Sequence, residues 1–480
     1  INLLLFINLQ EENFDLIVIG SGSGLDVANA AASQEGLKVA IIEKDMMGGT
    51  CLNRGCIPSK LLIHSANVAE TIRRANIFGI NTDNFSVDFE KIVKRVNNMT
   101  DANSEAIRKS YQNLDNPKLF SKECRFVGEK KIAFKDDETT TVTSDKILIA
   151  SGTTPRIPEI KGLKESRFIT SDEALRLRQQ PQILTFIGGG YITCELAHFY
   201  GSLGTEINII QLRNTLIPYE DEEISQKFTE VFSKRYNVYL GYRTETITTK
   251  KRNDEENGSS DTFHITAKND TSERMVELES DQLLVAVGRV PNSYSLDLQR
   301  TGVKVNEKGF IMVDEYLETN VNGIFALGDV VGRFQFKHNA NHEAQYVYHN
   351  ILNSDKKIPV DYTAMPHAIF SSPQVAGVGF TEQQLKEQDK NDYVKSVYPY
   401  IQTAMGKAIE DRNGFVKFLV NRKDKKILGC HIIGTDASTL IHEVLVAMKG
   451  GDGTINSIKK TIHIHPALSE VIARAAETIN

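Results

Sequence analysis

The chain has 480 residues, of which 40% are hydrophobic and 25% charged, and its formal net charge is -6. Because a single core stops growing near ~250 to 300 residues, this length predicts roughly two to four domains. The weak charge and the lack of a long run of Lys and Arg exclude nucleic-acid binding and favour small-molecule partners. The five cysteines exclude a disulfide framework, and their odd number favours an intracellular, cytoplasmic protein with one special pair.

The chain opens on an apolar segment, residues 1–9, which is interrupted by Asn2 and Asn8. This segment is far shorter than the ~20 apolar residues that span a bilayer. It also lacks the basic start and the cleavage site of a signal peptide. We therefore expect neither a leader nor a membrane anchor, and no membrane partner.

Two regions of the chain share one order of segments. An apolar run, a glycine-rich turn, a helical stretch and a second apolar run predict a strand–helix–strand (βαβ) unit. Because this order occurs twice, the sequence predicts two dinucleotide-binding units. The predicted segments are the strand 14–20, the helix 26–35 and the strand 38–43 in the first unit, and 183–188, 191–200 and 206–211 in the second.

The turn of each unit has the glycines that a dinucleotide site needs. Glycines let backbone N–H groups approach a pyrophosphate at the positive end of the following helix. The third glycine of the usual pattern is replaced by Leu25 in the first turn and by Thr193 in the second, where we expect a wider helix–strand contact or compensating packing. The candidate cofactor-binding glycines are Gly20, Gly22 and Gly24 in the first turn, and Gly188 and Gly190 in the second.

The residue at the end of each second strand is expected to contact a ribose hydroxyl. Glu43 takes this place in the first unit, and its carboxylate suits an unphosphorylated ribose. Gln211 takes it in the second unit, with Arg213 nearby, a setting that tolerates a 2′-phosphate. Both NAD and NADP therefore stay candidates.

Two further apolar runs predict buried strands that end at domain crossings. Residues 146–150 and 282–287 are each followed by a small or glycine-containing stretch before a proline. The glycines of these crossings, Gly152 and Gly288, join the cofactor-binding candidates. The polar segment 251–273, which lies between the two runs, predicts an exposed hairpin loop.

The composition changes after about Pro359. Strand-like runs at 415–420 and 427–433 are followed by a helical stretch at 438–448. This order is typical of a separate α+β domain.

The sharpest local signal is a pair of cysteines five residues apart, Cys51 and Cys56, where a helical stretch opens. Zinc would need about four ligands, and no such set lies nearby, so we expect no metal site. On a regular helix the two side chains point ~140° apart, so a disulfide would require a distorted first turn, which Gly55 and Pro58 permit. Such a disulfide would be easily reduced, and the cations close in sequence should favour the thiolate.

With these motifs in order, the chain from about Phe14 onward resembles the class I pyridine nucleotide-disulfide oxidoreductases. Five segments match in the family's order: the first glycine turn, the cysteine segment, and residues 188–195, 323–329 and 463–470. The resemblance implies an α/β fold with two Rossmann-like dinucleotide-binding domains, for FAD and NAD(P), and a C-terminal α+β dimerisation domain. The expected domains are FAD-binding at 12–155 and 286–355, NAD(P)-binding at 156–285 and dimerisation at 356–480.

The resemblance also implies roles for single residues. Asp329 is expected to bind the FAD ribityl chain, and Lys60 is expected to pair with Glu195 beside the flavin. His465, oriented by Glu470, is expected to be the acid–base group, since an imidazole exchanges protons near neutral pH. It should reach the cysteine pair of a second subunit, which implies a homodimer.

Other residues of these types have no matching role in the family. We interpret His463 as structural. Cys124, Cys194 and Cys430 should be small buried hydrophobes without redox function.

Within the family, the cysteine segment and the ending look closest to dihydrolipoyl dehydrogenases, although Arg54 stands where valine is common. This predicts that FAD and NAD oxidise dihydrolipoamide through a Cys51–Cys56 disulfide, with the lipoyl domain of a 2-oxo acid dehydrogenase or glycine cleavage complex as a partner. Residues 190–192 and 336–341 are instead similar to mycothione reductase, and Gln211 weakens the NAD assignment. The alternatives are an NADPH-dependent reductase of low-molecular-weight disulfides, mycothione or glutathione reductase-like, and a non-catalytic flavoprotein subunit.

Overall fold

The computed structural model describes residues 10–82, 85–252 and 260–479, so the apolar segment 1–9 lies outside the described residues. The chain folds into two compact units. Among the described helices, none combines the length and the apolarity of a bilayer-spanning segment. Unit 1 contains the described parts of Ile1–Pro58, Lys94–Arg156 and Gly288–Asp361, and unit 2 those of Ser59–Val93, Ile157–Val287 and Tyr362–Asn480.

The described chain contains both strands and helices. The strands are β1 (Gln10–Asn13), β2 (Leu16–Ile19), β3 (Val39–Ile42), β4 (Lys118–Phe120), β5 (Cys124–Gly128), β6 (Lys131–Phe134), β7 (Asp137–Thr143), β8 (Ile147–Ile149), β9 (Thr153–Pro155), β10 (Ile183–Ile187), β11 (Glu206–Gln211), β12 (Asn237–Leu240), β13 (Tyr242–Arg252), β14 (Ser260–Asn269), β15 (Met275–Ser280), β16 (Gln282–Val285), β17 (Arg289–Pro291), β18 (Ile324–Ala326), β19 (Pro366–Ile369), β20 (Gln374–Gly379), β21 (Tyr393–Pro399), β22 (Phe415–Asn421) and β23 (Ile427–Gly434). The α-helices are α1 (Gly24–Glu35), α2 (Gly49–Arg54), α3 (Cys56–Arg74), α4 (Phe89–Gln112), α5 (Ser171–Ala174), α6 (Tyr191–Ser202), α7 (Glu222–Ser233), α8 (Lys337–Leu352), α9 (Glu382–Glu387), α10 (Ala404–Ala408), α11 (Ala437–Lys449), α12 (Ile455–Lys459) and α13 (Glu470–Glu477). Within the described residues, runs of consecutive strands extend from β4 to β9 and from β12 to β18.

Unit 1 is built on a five-stranded parallel sheet with the order β18-β8-β2-β3-β4. Side chains of β2 alternate between its two faces, as a strand requires. Leu16 and Val18 pack with α1 and α8, whereas Ile17 and Ile19 pack with strands β5 and β6. The apolar run predicted from the sequence is therefore a strand buried on both faces, and the first βαβ unit is confirmed.

Unit 2 contains the second parallel sheet, with the order β12-β11-β10-β16. Helix α6 follows β10 and leads into β11, so the second predicted βαβ unit is also confirmed. Strands β13, β14 and β15 form a separate antiparallel sheet.

The polar segment predicted as a loop at 251–273 needs a correction. Residues 260–269 form strand β14, because Phe263, Ile265 and Ala267 alternate with more exposed residues and are buried. Arg252 pairs with Ser260, so β13 and β14 make a hairpin, and residues 253–259 of the predicted loop lie outside the described residues.

The C-terminal part of unit 2 has a five-stranded antiparallel sheet with the order β19-β20-β23-β22-β21. Helices α11 and α13 share one apolar core with strands β22 and β23. The predicted strands at 415–420 and 427–433 and the helix at 438–448 are confirmed, and so is the α+β character of this part.

Candidate active site

The cysteine pair lies where one helix ends and the next begins. Cys51 is in α2, and Cys56 is the first residue of α3. Gly55 interrupts the two helices with φ -145° and ψ -116°, and a Cβ there would lie 3.0 Å from the carbonyl oxygen of Thr50. The interruption expected at Gly55 is therefore present, and the 140° separation of a continuous helix does not apply. Cys51 is half-buried and Cys56 is exposed.

The cation between the two cysteines is balanced by a carboxylate. Arg54 forms an ion pair with Asp45. Burial alone would raise the pKa of Asp45, but the hydrogen bonds from Arg54 and from the Met46 backbone lower it below its usual value. The second nearby cation, Lys60, is also paired, as described next. Each of the two cations that lie close to the cysteines in sequence is therefore neutralised by a carboxylate.

Lys60 and Glu195 form the expected ion pair. The Lys60 ammonium lies 2.7 Å from Glu195 Oε2, and it also lies over the ring of Phe370 at 4.7 Å from the centroid. The other Glu195 oxygen accepts a hydrogen bond from the Phe370 backbone N–H at 3.0 Å. Both partners are thus held by more than the pair itself, which fixes the lysine one helical turn after Cys56 on α3.

The contact between α3 and α6 continues away from this ion pair. His198 Nε2 lies 2.7 Å from Asn67 Oδ1, and Arg73 donates to the Ser202 carbonyl. Burial, reinforced by nearby Arg235, lowers the pKa of His198 to about 3. His198 is therefore neutral at physiological pH and acts as a structural hydrogen-bonding group.

The predicted acid–base pair is assembled near the C-terminus. His465 Nδ1 lies 3.0 Å from Glu470 Oε1. The hydrogen bond from His465 holds the pKa of Glu470 below its usual value. The side chain of His465 is 71% exposed, whereas that of Glu470 is 11% exposed. The hydrogen bond to Glu470 thus orients the imidazole of His465, and most of the ring remains exposed to a binding partner.

The loop that carries His465 is anchored by its neighbour His463. This ring lies 2.5 Å from Glu443 Oε1 through Nε2, and 3.0 Å from the Thr461 carbonyl through Nδ1. The bonds support the structural interpretation of His463. Ile462 and Ile464 alternate with it and are 97% and 78% exposed.

The two glycine turns repeat one backbone contact. Gly20 has φ +105°, and a Cβ there would lie 2.3 Å from the Ala150 carbonyl oxygen; Gly188 has φ +106°, and a Cβ there would lie 2.4 Å from that of Ala286. Only glycine fits both the conformation and the space. Each turn therefore brings its loop against the end of the neighbouring strand.

The departures from the usual glycine pattern are compensated locally. In the first turn, a Cβ on Gly24 would lie 2.8 Å from Val18 Cγ1, so this glycine supplies the close helix–strand contact and Leu25 is buried beside it. In the second turn, the Thr193 hydroxyl donates to the Gly188 carbonyl at 2.8 Å. The compensating change expected at Thr193 is this hydrogen bond.

The remaining candidate glycines face open space, as a bound dinucleotide requires. A Cβ at Gly22, Gly152, Gly190 or Gly288 would meet nothing within 4 Å. Beside Gly152, the buried hydroxyl of Ser151 has no hydrogen-bond partner among the described residues. The open space at these glycines fits a large polar ligand in each unit. In unit 1, the hydroxyl of Ser151 is also available to such a ligand.

Glu43 and Gln211 lie at corresponding strand ends, but their side chains bind different parts of the protein. Glu43 accepts hydrogen bonds from the Ser21 N–H at 2.9 Å and the Ser21 hydroxyl at 2.7 Å, which hold its carboxylate at the first turn. Gln211 is buried and donates to the Thr215 carbonyl at 3.0 Å. The Arg213 guanidinium lies over the ring of Tyr219, 5.3 Å from its centroid. The polar group available at the second strand end is thus a cation.

Asp329 is held by residues that the sequence did not single out. Its Oδ2 accepts from the Thr153 hydroxyl at 3.1 Å, and Arg289 donates to the hydroxyl and carbonyl of Thr153 at 2.7 and 2.8 Å. Burial raises the pKa of Asp329, and Arg289 opposes this shift. The sequence signal for Arg289 was its place directly after Gly288 at a predicted crossing.

A second missed group lies beside the nicotinamide-type turn. Tyr191, the first residue of α6, donates to Glu220, whose other oxygen lies 2.7 Å from His367 Nε2. Burial alone would lower the pKa of His367, but Glu220 raises it. No short sequence spacing joins these three residues, so no motif could have found them.

The other cysteines, Cys124, Cys194 and Cys430, are buried, as expected. Burial raises the pKa of Cys124 to about 12 and the pKa values of the other two well above the usual range.

Comparison with known proteins identifies the architecture. Residues 14–344 match the family model described as "Pyridine nucleotide-disulphide oxidoreductase", and residues 365–476 match its dimerisation domain. The chain is 33% identical to a mycothione reductase of Mycobacterium tuberculosis (97% of this chain, 99% of the relative) and 33% identical to a dihydrolipoyl dehydrogenase of Chlamydia trachomatis (97% of each). A solved structure, the Cu(II) complex of the HOCl-induced flavoprotein disulfide reductase RclA from Escherichia coli, superimposes with a TM-score of 0.84 at 25% identity over 98% of this chain and all of that chain.

Proposed function

The chain belongs to the pyridine nucleotide-disulphide oxidoreductase family and is a flavoprotein disulfide oxidoreductase, and from this premise we propose that it is a dihydrolipoyl dehydrogenase. Its cofactors are FAD and NAD, with NADP not excluded. The observation that carries the proposal is the junction of α2 and α3, which holds Cys51 and the exposed Cys56 on either side of Gly55.

The proposed reaction is a thiol–disulfide exchange at these two cysteines. His465 of the partner subunit takes the proton of one dihydrolipoamide thiol, and the resulting thiolate attacks Cys51 Sγ. The Cys51–Cys56 bond breaks, and Cys56 keeps the electron pair as a thiolate. The second thiol of the substrate then displaces Cys51, which closes the lipoamide ring and leaves both cysteines reduced. FAD bound at the first glycine turn would supply the two-electron acceptor that reoxidises the cysteine pair, and NAD would supply the final acceptor.

The residues behind these groups would keep them in place. The bond from Glu470 orients His465 and stabilises its protonated form after the thiol proton is taken. Lys60, held by Glu195 and Phe370, keeps a cation one turn beyond Cys56. We assign the glycines of the two turns, Glu43 and Asp329 to the cofactors.

The proposal includes a homodimer in the cytoplasm. The match to a dimerisation domain and the outward-facing His465 support a site completed by a second copy. The proposed partner is the lipoyl domain of a 2-oxo acid dehydrogenase or glycine cleavage complex. Relatives named dihydrolipoyl dehydrogenase at 33% identity support this choice.

The test is turnover of the purified protein with its flavin bound. Dihydrolipoamide with NAD should give rapid NADH formation, and Cys51→Ser should abolish it while the flavin spectrum remains. Cys194→Ser is the matched control, because that thiol is buried and outside the exchange. Activity that survives Cys51→Ser would overturn the mechanism.

A second candidate is an NADPH-dependent reductase of low-molecular-weight disulfides. It is favoured by the inward-turned Gln211 and the cation of Arg213 at the second strand end, and by the relative named mycothione reductase. NADPH oxidation driven by such a disulfide, without NADH formation from dihydrolipoamide, would favour it. Bound flavin without either turnover would indicate a non-catalytic subunit.

A further inference from the structure

Helix α8 begins with a lysine at a place where a positive charge is unfavourable. Lys337 is its first residue, and the N-terminus of a helix carries a partial positive charge. The ammonium donates at 2.9 Å to the hydroxyl of Ser23, which directly precedes α1. A cation and the positive ends of two helices therefore meet at the first glycine turn.

The hydrogen-bond partners of this lysine in the part of the chain that the structure describes are neutral. Among the described residues, Lys337 makes no ion pair. The Ser23 hydroxyl, which accepts from Lys337, donates at 2.9 Å to the side-chain oxygen of the neutral Asn341. Lys337 is half-buried and Ser23 is 6% exposed, so water screens the charge only in part. Such an arrangement is stable when an anion lies beside it.

The same contacts leave room and donors for that anion. Because the Ser23 hydroxyl is used by Lys337 and Asn341, it does not cap α1. The N–H groups of Leu25 and Asp26 make only long bonds of 3.4 and 3.3 Å to the turn. A Cβ on Gly22 would meet open space. Unoccupied volume, backbone donors and a cation thus share one side of the turn.

We propose that Lys337 neutralises the pyrophosphate of FAD in unit 1. The ligand class is a dinucleotide with two negative charges at its centre, and Ser23 positions the ammonium toward it. The inference rests on the FAD-binding part of the proposed function. It adds a cationic group to a turn that otherwise binds through backbone N–H groups alone.

The test measures the affinity of the apoprotein for FAD. The quenching of flavin fluorescence reports how much FAD is bound. Lys337→Gln should weaken FAD binding roughly tenfold or more and should make it less sensitive to salt, because one charge-assisted contact to phosphate is lost. Lys337→Arg should bind FAD within about threefold of the unchanged protein. Lys308→Gln, which removes an exposed lysine elsewhere in unit 1, should have no effect.

Thermal unfolding of the apoprotein separates this role from a structural one. Since a neutral residue suits a helix N-terminus better than a lysine, apo Lys337→Gln should have an unchanged or higher Tm. A lower Tm, or a variant that does not fold, would indicate a structural lysine and would overturn the proposal, as would unchanged FAD affinity. If the unchanged apoprotein does not bind FAD, the proposed function itself fails.

Discussion

At the scale of single residues, two histidines of one short loop are each paired with a glutamate, and the two imidazoles differ in exposure. His463 is anchored to Glu443 and is 11% exposed, whereas His465 is bound to Glu470 and is 71% exposed. The chemistry of the two pairs is the same. Their different exposure is what makes one a candidate for proton transfer and the other an anchor.

This contrast gives a matched pair of variants. Glu470→Gln removes the charge that stabilises protonated His465, so we expect kcat to fall about 10- to 100-fold with the flavin still bound. Glu443→Gln removes the same charge from the anchor, and we expect kcat to change less than about threefold. Steady-state kinetics with dihydrolipoamide and NAD make the comparison. Equal losses in the two variants would mean that His465 has no special role.

The ionisation of Glu382 should make the thermal stability of the protein depend on pH in the acidic range. Burial alone would raise the pKa of Glu382, but hydrogen bonds and charge from Lys417 lower it to about 2. A carboxyl whose pKa is lower in the folded state stabilises the fold above its unfolded pKa, and this contribution disappears as pH falls toward 2. We therefore expect Tm to fall between about pH 4.5 and pH 2, and to fall less steeply in Glu382→Gln. Calorimetry at successive pH values measures the two slopes.

At the scale of elements, strand β22 brings one fully buried lysine against three acidic residues from other elements. Lys417 is 0% exposed and lies 2.8 Å from Asp221, 2.8 Å from Glu223 and 2.7 Å from Glu382. Burial would lower the pKa of Lys417, but these carboxylates raise it. The strand is therefore joined by charge to the start of α7 and to α9.

Removing this lysine should be costly. Lys417→Met leaves the fully buried Asp221 without its cation, so we expect the free energy of unfolding to fall by about 3 kcal/mol or more. Lys395→Met is the control, because Lys395 also contacts Glu382 but is 37% exposed, and its loss should cost less than about 1 kcal/mol. Urea denaturation of both variants measures the difference. A loss below 1 kcal/mol for Lys417→Met would contradict this expectation.

Two alanine variants can show whether a glycine is required for its positive φ alone or also for the lack of space for a Cβ. Gly188 and Gly204 have similar φ values, +106° and +111°, but a Cβ on Gly188 would lie 2.4 Å from Ala286 O, and one on Gly204 would lie 3.9 Å from its nearest atom. Both Ala variants carry about 1–3 kcal/mol of backbone strain. Only Gly188→Ala should also weaken nicotinamide dinucleotide binding, by tenfold or more, with the flavin spectrum unchanged. Titration calorimetry with NADH distinguishes them.

The elements were the most predictable part of the molecule. Apolar runs ending in glycine gave both βαβ units, because a buried parallel strand and a phosphate-binding turn each leave a local signature. Residues 260–269 were predicted as loop, since their polar side chains masked the alternation of Phe263, Ile265 and Ala267. The cysteine pair was predictable because its two residues are close in sequence, and the His465–Glu470 pair was predictable from the resemblance to the family. The contacts of Lys417 and of Glu220 with His367 were not, because only the fold brings those residues together.

At the scale of the whole molecule, the proposed site needs a second copy of the chain. Ile462 and Ile464 flank the anchored His463 in the sequence and are 97% and 78% exposed. Apolar side chains this exposed are stabilised when another surface covers them. We expect that surface to be the partner subunit.

Ile464→Asp should therefore separate the subunits. Sedimentation should give half the mass, and disulfide exchange should be lost while FAD remains bound. Met275→Asp is the control, since this exposed residue lies outside the matched dimerisation domain, and the dimer should persist. Full activity in a monomeric Ile464→Asp would contradict the completed-site proposal.

The buried lysine has a consequence for biosynthesis. Asp221 and Lys417 are 196 residues apart, so during translation the acidic residue leaves the ribosome long before its cation is made. Until β22 emerges, the region around Asp221 cannot reach its final packing. A nascent chain that stops before residue 417 therefore lacks the cation of Asp221 and is left incompletely folded and accessible to chaperones and proteases.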